Sequence, residues 1–295
     1  MTDLQTGTRS AKRDQENRPN RASMRSLADK VKGLAVFARP RTLRDWRISV
    51  LSVGLAIAAW AVLSESEIVP RTALPTIGGV LGAAKDVWTN GYQGVTLWQD
   101  ITVSLSRIGL GFGCAVVVGV PIGIWIGESR IMEAVLDPYV QFLRPLPPLG
   151  YYTLLIIWFG IGDTSKIVLL FLTGVPIIIV SVADAVRRID KGYLEAVAPL
   201  KLSRPQYFAY VILPGSLGGV FTGSRVALGA TFGSLVAAEL IAADSGLGWL
   251  ILTASNYVQT EIVYVGIIVI GLIALLLDRI VVFLSRVMAP WTGRS

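Results

Sequence analysis

Six long, predominantly apolar stretches run through this sequence, at roughly Ile48 to Leu63, Ile101 to Gly127, Val140 to Phe159, Ile167 to Val186, Leu217 to Ile241 and Ile262 to Leu284. Each approaches the length a helix needs to cross about 30 Å of hydrocarbon. Inside a bilayer the backbone finds no water, so such segments satisfy their own hydrogen bonds as helices. The expected fold is therefore all-α, a polytopic membrane protein with six transmembrane helices. The first stretch is the shortest, and its 16 uncharged residues reach only about 24 Å at a 1.5 Å rise. It needs Trp46 and Ser64 at the interfaces to complete a crossing. The third contains Arg144-Pro-Leu-Pro-Pro148, which cannot be regular helix throughout, so its helix is expected to start near Leu149 after an irregular entry.

Composition supports the membrane assignment and removes several chemistries. Hydrophobic residues make up 53% of the 295, charged ones 16%, and the mean hydropathy is +0.61. Histidine is missing and the single cysteine, Cys114, lies in an apolar run, so neither a disulfide framework nor a Cys/His zinc cluster can be built. Residues 1–47 hold 12 Lys/Arg against 5 Asp/Glu and so carry the whole net charge of +7. This end reads as a basic, mostly disordered tail drawn to anionic lipid headgroups, not as a nucleic-acid-binding segment.

Basic residues also set the orientation. With the tail in the cytoplasm and six crossings, 22 Lys/Arg fall on the inner side and three, Arg71, Lys85 and Lys166, on the outer side. That bias places both termini in the cytoplasm.

The remaining features narrow the transport class. Gly-Lys never occurs, so there is no phosphate-cradling GxxxxGK[ST] loop and no route to ATP hydrolysis through one. Ion-coupled carriers usually keep a titrating carboxylate near the bilayer midplane. Here Asp184 and Asp278 fall near the cytoplasmic ends of their spans and Glu239 near the outer end of the fifth. These absences point to an external motor. Gly109, Gly113, Gly119, Gly123 and Gly127 in the second span suit close helix packing.

Between the fourth and fifth spans lies the longest charged inner loop, Arg187 to Pro214. Tyr193-Leu-Glu-Ala-Val-Ala198 reads as a short helix with Glu195 exposed, and Val211-Ile-Leu-Pro214 returns the chain to the membrane, with Pro214 ending the segment. Glu195, Ala196, Val211, Leu213 and Pro214 stand at the spacing of E-A-A-x3-G-x9-I-x-L-P. This resembles the EAA loop of inner-membrane permeases of ATP-binding cassette importers. The likeness extends over roughly Asp100 to Leu284. Ser104-Leu-Ser-Arg107, Leu143-Arg-Pro-Leu-Pro-Pro148, Trp158-Phe-Gly-Ile-Gly162, Gly223-Ser-Arg-Val-Ala-Leu-Gly229, Ala237-Ala-Glu-Leu240 and Gly246-Leu-Gly248 are similar to the taurine, alkanesulfonate, nitrate and bicarbonate branch.

The resemblance implies a type I importer permease that binds no cofactor itself, ATP being held by the partner subunit. It implies two ATPase subunits, a second permease copy, an extracytoplasmic solute-binding protein and a bacterial inner-membrane location. The loop would form the coupling helix that enters a groove of the ATPase. The implied organisation is a tail (1–47), a first helix and outer loop (48–99), the importer domain (100–286) with its coupling loop (187–214), and a short inner tail (287–295). Taurine or another alkanesulfonate is the first solute implied, with nitrate, bicarbonate or another small solute behind it. An ion-coupled secondary carrier is the alternative class. The sequence departs from the pattern at Val197, which replaces the second Ala, and at Lys201, which replaces the glycine. A left-handed turn is cheap for glycine and costs lysine about 1 kcal/mol or more, so a differently built turn is expected there.

Three intramembrane charges are candidates for the solute path. Arg225 either faces the bundle interior, water or a carboxylate, or snorkels to the inner surface. Arg107 either acts similarly or pairs with Asp100 or headgroups, and Glu239 either gates or meets a docking protein. In the outer loop, Ile77, Val80, Leu81, Ala84 and Trp88 recur at helical spacing. The expectation there is an interfacial helix, with packing on its own bundle as the alternative.

Overall fold

The computed structural model describes residues 43–66 and 69–291. The tail reading, residues 1–47, lies outside the described residues as far as residue 42, and residues 43–47 already belong to the first helix. Two compact units divide the chain at residues 62 and 63. The described part of the first, residues 43–62, lies in α1 (Leu43–Glu65), an apolar helix of membrane-spanning length whose Ile48, Leu51, Leu55 and Val62 are exposed.

The second unit is a helical bundle. Its elements are α2 (Ile77–Thr89), α3 (Leu97–Glu128), α4 (Arg130–Leu143), α5 (Pro148–Phe159), α6 (Asp163–Arg187), α7 (Lys191–Val197), α8 (Arg204–Tyr207), α9 (Leu213–Ala242), α10 (Leu247–Asn256) and α11 (Thr260–Met288). Among the described residues the only extended pairing is an isolated bridge between Tyr92 and Val95.

Glycines set how α3 and α6 lie together. Gly111 faces Leu170, Gly119 faces Ile178, Gly123 faces Val182 and Gly127 faces Val186, and a Cβ on Gly123 would sit 2.7 Å from that of Val182. Both numbers of each pair rise together, so the two helices run parallel at backbone contact distance. Gly109 and Gly113, by contrast, face open space. A parallel pair requires the chain leaving α3 to return the length of the bundle before α6 begins.

That return corrects the third expected span. No single helix of membrane length covers Val140 to Phe159; α5 has only 12 residues and reaches about 18 Å. The return is made by α4 and α5 together. Prolines 145, 147 and 148 break the path, since each lacks an N–H and blocks the preceding turn. α4 is tied to the far end of α6 by Glu133 and Arg187 at 2.9 Å, and α5 packs Tyr152 and Leu155 against Leu169 near its start. Among the described residues, five helices are therefore long and apolar enough to cross alone, and α4 and α5 form a broken pair.

α9 runs antiparallel to α6, with Gly223 against Ser181, Gly219 against Ala185, and Thr231 against Gly174. The core gathers where α3, α6 and α9 meet, around Ala115, Ile178, Val182 and Ala227, all fully buried. The expectation that Pro214 ends the loop before a new span does not hold. Arg204 to Ala242 is one helical segment, with a π turn over Phe208–Ile212 inside it. That turn lies where the missing Pro214 N–H would otherwise leave the ladder incomplete.

The outer-loop helix α2 lies on its own bundle. Val80 and Val87 are buried, Gly79 faces Glu261, and the Thr260 hydroxyl and Tyr264 phenol donate to the carbonyls of Thr72 (2.8 Å) and Ala73 (3.4 Å). Leu81 and Trp88, seven residues apart, stay exposed on its other side.

Candidate functional site

The loop after α6 is built from short, capped pieces. Asp190 caps α7 by accepting the Tyr193 N–H at 3.0 Å, and a 3-10 turn over Ala198–Leu200 follows the seven-residue helix. Lys201 then takes φ 47° and ψ 43°, the left-handed conformation itself. The expected change of turn is therefore absent: lysine adopts the geometry that glycine takes at lower cost, about 1 kcal/mol or more. Ser203 opens α8, its N–H and hydroxyl both donating to Gln206 Oε1, at 3.0 and 2.8 Å.

This construction leaves an outward face. Glu195, Ala196 and Lys201 are exposed and Val197 is half-buried, while Tyr193, Leu200 and Tyr210 add exposed apolar surface. Val211 is buried, and Leu213 and Pro214 are half-buried, anchoring the return into α9. At the same end, the Trp291 indole N–H donates to the Pro214 carbonyl at 3.3 Å, bringing the chain's last helix beside the loop.

At the opposite end of the bundle the apolar spans hold a buried polar clasp. Asp100, Ser104 and Arg107 line one face of α3 at helical spacing and are all buried. Arg107 donates from Nε to Asp163 Oδ1 at 2.8 Å and from Nη1 to Glu239 Oε1 and the Ser245 carbonyl, both at 2.8 Å. Its Nη2 lies 2.7 Å from the same Asp163 oxygen. Glu239 also accepts from the Ser104 hydroxyl at 2.8 Å and the Gly248 N–H at 2.9 Å. Gly246 donates to Asp100 at 2.7 Å and Leu247 to Ser104 at 3.0 Å.

The first-turn amides of α10 are thus occupied by side chains of α3 and α9, and a carboxylate at a helix N-terminus is favourably placed. Gly246 has φ +115°, and a Cβ there would lie 2.7 Å from Glu239 Cδ and 2.8 Å from Arg107 Nη1, so no other residue fits.

The clasp redefines two candidates. Arg107 pairs with Asp163 and Glu239 instead of Asp100, and every nitrogen of its guanidinium has a partner. Glu239 is 1% exposed, and so it reaches no docking surface. Lys166 lies in the first turn of α6, not in an outer loop, with its ammonium on the carbonyls of Ile161 (2.9 Å) and Gly162 (3.3 Å). A cleft of about 750 Å³ opens beside this end, bordered by Asp163, Lys166 and Ser245. The sequence reading did not include Asp163 or Ser104 among the site residues. Polar groups at helical spacing in an apolar span were the signal for Ser104.

Arg225 contrasts with Arg107. It reaches across from α9 to α11, donating from Nε to Asp278 Oδ1 at 2.7 Å and from Nη2 to Oδ2 at 3.1 Å. The two side chains are 49% and 37% exposed. The carboxylate alternative holds, on an open face of the helix pair.

The sequence pattern of the family described as "Binding-protein-dependent transport system inner membrane component" matches residues 119–290. The chain is 37% identical over 251 residues to the taurine transport system permease protein TauC of Escherichia coli (strain K12), covering 85% of this chain and 91% of that one. It is 33% identical over 258 residues to the putative aliphatic sulfonates transport permease protein SsuC of Bacillus subtilis (strain 168), covering 87% and 92%. In fold it is similar to a chain of the MetNI methionine ABC transporter in an inward facing conformation, with a TM-score of 0.54 and 21% identity over 63% of this chain and 94% of that one.

Proposed function

This chain belongs to the family of binding-protein-dependent transport system inner membrane components, the permeases of ATP-binding cassette importers, and on that premise we propose that it imports a small sulfonate, taurine first. The observation that carries the reading is the exposed, capped loop from Asp190 to Ser203 with Glu195 outward, at the end where α6 turns into α9. In this proposal two ATPase subunits grip the loops of two copies of the chain. Closure of the ATPase pair on ATP pushes on α7, and the rigid α6–α9 contact carries that displacement into the spans. The solute arrives from an extracytoplasmic binding protein at the clasp end. Nothing in the chain's own residues hydrolyses ATP in this scheme.

The proposed orientation puts the loop, the basic tail and Trp291 in the cytoplasm. Its support is the excess of Lys/Arg at that end, together with the Trp291 to Pro214 hydrogen bond. The purified transporter, reconstituted with its ATPase and binding protein, tests the reading. Glu195→Lys is expected to leave the chain inserted and abundant while abolishing solute-stimulated ATP hydrolysis; unchanged stimulation would sink the coupling role. Taurine uptake with nitrate and bicarbonate as competitors tests the solute. Stronger competition by either inorganic anion than by unlabelled taurine would move the assignment to that anion.

A further inference from the structure

The ion pair on the open face of α9 and α11 has a shape that a plain anion site would not have. Asp278 takes the Nε and Nη2 edge of the Arg225 guanidinium, and the Nη1 group has no hydrogen-bond partner among the described residues. Each Asp278 oxygen accepts one bond from Arg225, leaving lone pairs unused on both. Both charges are open on one surface, 49% and 37% exposed, beside a recess of about 80 Å³ bordered by Leu228, Gly229, Phe232 and Leu277. Gly229, one turn beyond Arg225, borders the recess and has nothing within 4 Å of where a Cβ would stand.

Depth adds the second constraint. Arg225 lies 12 residues into the 30-residue helix α9, about 18 Å from its start, and Asp278 lies ten residues before the end of α11. Asp278 thus lies deeper than the inner-end position expected from the sequence, held there by Arg225, and net charge at such depth is costly. The pair is neutral as it stands. Arg279 follows Asp278 in the chain and adds a positive charge nearby, so what separates solutes is the pair itself: a plain anion meets the Arg225 edge and faces the Asp278 carboxylate, whereas a solute carrying one charge of each sign engages both. The free Nη1 edge suits a sulfonate, and the unused Asp278 lone pairs suit an ammonium.

We propose that Arg225 and Asp278 together form a dipolar subsite that selects a zwitterionic aminosulfonate over plain anions of the same size. The inference rests on the permease reading and names the solute class it handles within the membrane. Taurine, with two carbons between ammonium and sulfonate, is the probe of that class; 2-hydroxyethanesulfonate is the plain anion of the same size, with a hydroxyl in place of the ammonium.

Equilibrium binding of radiolabelled taurine to the purified permease–ATPase complex, without the binding protein, reads the permease's own preference. The wild-type complex is expected to favour taurine over 2-hydroxyethanesulfonate by tenfold or more. Asp278→Asn should remove that preference while the complex stays monodisperse, Asp278→Glu should keep it, and Gly229→Val should weaken both solutes. Absent binding of either solute, equal binding of both, or an unchanged preference in Asp278→Asn would each overturn the subsite. Solute-stimulated hydrolysis in the Glu195 experiment is unaffected by those outcomes, so the permease reading stands or falls separately.

Discussion

Two of the arginines inside apolar spans, Arg107 and Arg225, are built to opposite ends. Arg107 is 2% exposed and held by Asp163, Glu239 and the Ser245 carbonyl, joining α3, α6, α9 and the turn before α10. Arg225 has one partner, stands half-exposed, and keeps part of its guanidinium uncommitted. Charge in a membrane helix therefore does not by itself mark the solute path. What separates the two is how many donors are already used: a saturated guanidinium is a fastener, and an unsaturated one still has chemistry to offer.

The largest effect is expected at the fastener. Glu239→Ala strips Arg107 and Ser104 of a shared buried partner, and breaking such a pair costs about 3–5 kcal/mol. The variant should lose most of its folded yield in detergent, measured by size exclusion and thermal unfolding. Retention of the wild-type melting temperature would show the clasp to be dispensable. Next is the packing that keeps α3 against α6. Gly123→Leu drives a side chain into Val182 and is expected to cost about 1–3 kcal/mol, read in the same unfolding assay. Gly113→Leu, facing open space, should change little; equal losses at both positions would refute the parallel register.

At the other arginine the effect should fall on transport and spare the fold. Arg225→Gln is expected to cut taurine uptake in reconstituted vesicles tenfold or more, with folded yield near wild type. A parallel loss of yield would make Arg225 a second fastener and erase the contrast. The smallest change is expected at the loop. Lys201→Gly relieves a left-handed backbone and should stabilise the turn by about 1 kcal/mol with ATPase coupling intact or improved. A large loss of coupling would show that the Lys201 ammonium makes a needed contact.

Much of this was legible in the residues because each span needs a long uncharged run, which leaves an unmistakable trace. The helices α3, α6, α9 and α11 begin and end within about four residues of their expected bounds. The third span failed where three prolines in four positions split an apolar run that hydropathy alone joins, and α4 escaped notice because its amphipathic pattern carries no long apolar stretch. The loop proposed to couple to the ATPase drew attention through Glu195, Ala196, Leu213 and Pro214, whose local spacing is visible in one sequence. Its backbone was not visible there: Lys201 in a left-handed turn, its N–H on the Ala198 carbonyl, runs against propensity.

The clasp was legible only in part, since Asp163 and Glu239 are 76 positions apart in the chain and meet only through Arg107. Similarly, Arg225 was singled out by charge, but nothing local connects it to Asp278, 53 residues away.

The central claim, that this chain moves solute only when an ATPase seats on the loop around Glu195, is tested most directly by capture of its neighbours. The tagged protein, purified in mild detergent from its native host and crosslinked through the exposed Lys201 amine, should carry a stoichiometric protein with a GxxxxGK[ST] loop joined at that lysine. Recovery of the chain alone as a stable dimer, with no ATPase retained after crosslinking, would contradict the account and return ion-coupled transport to first place.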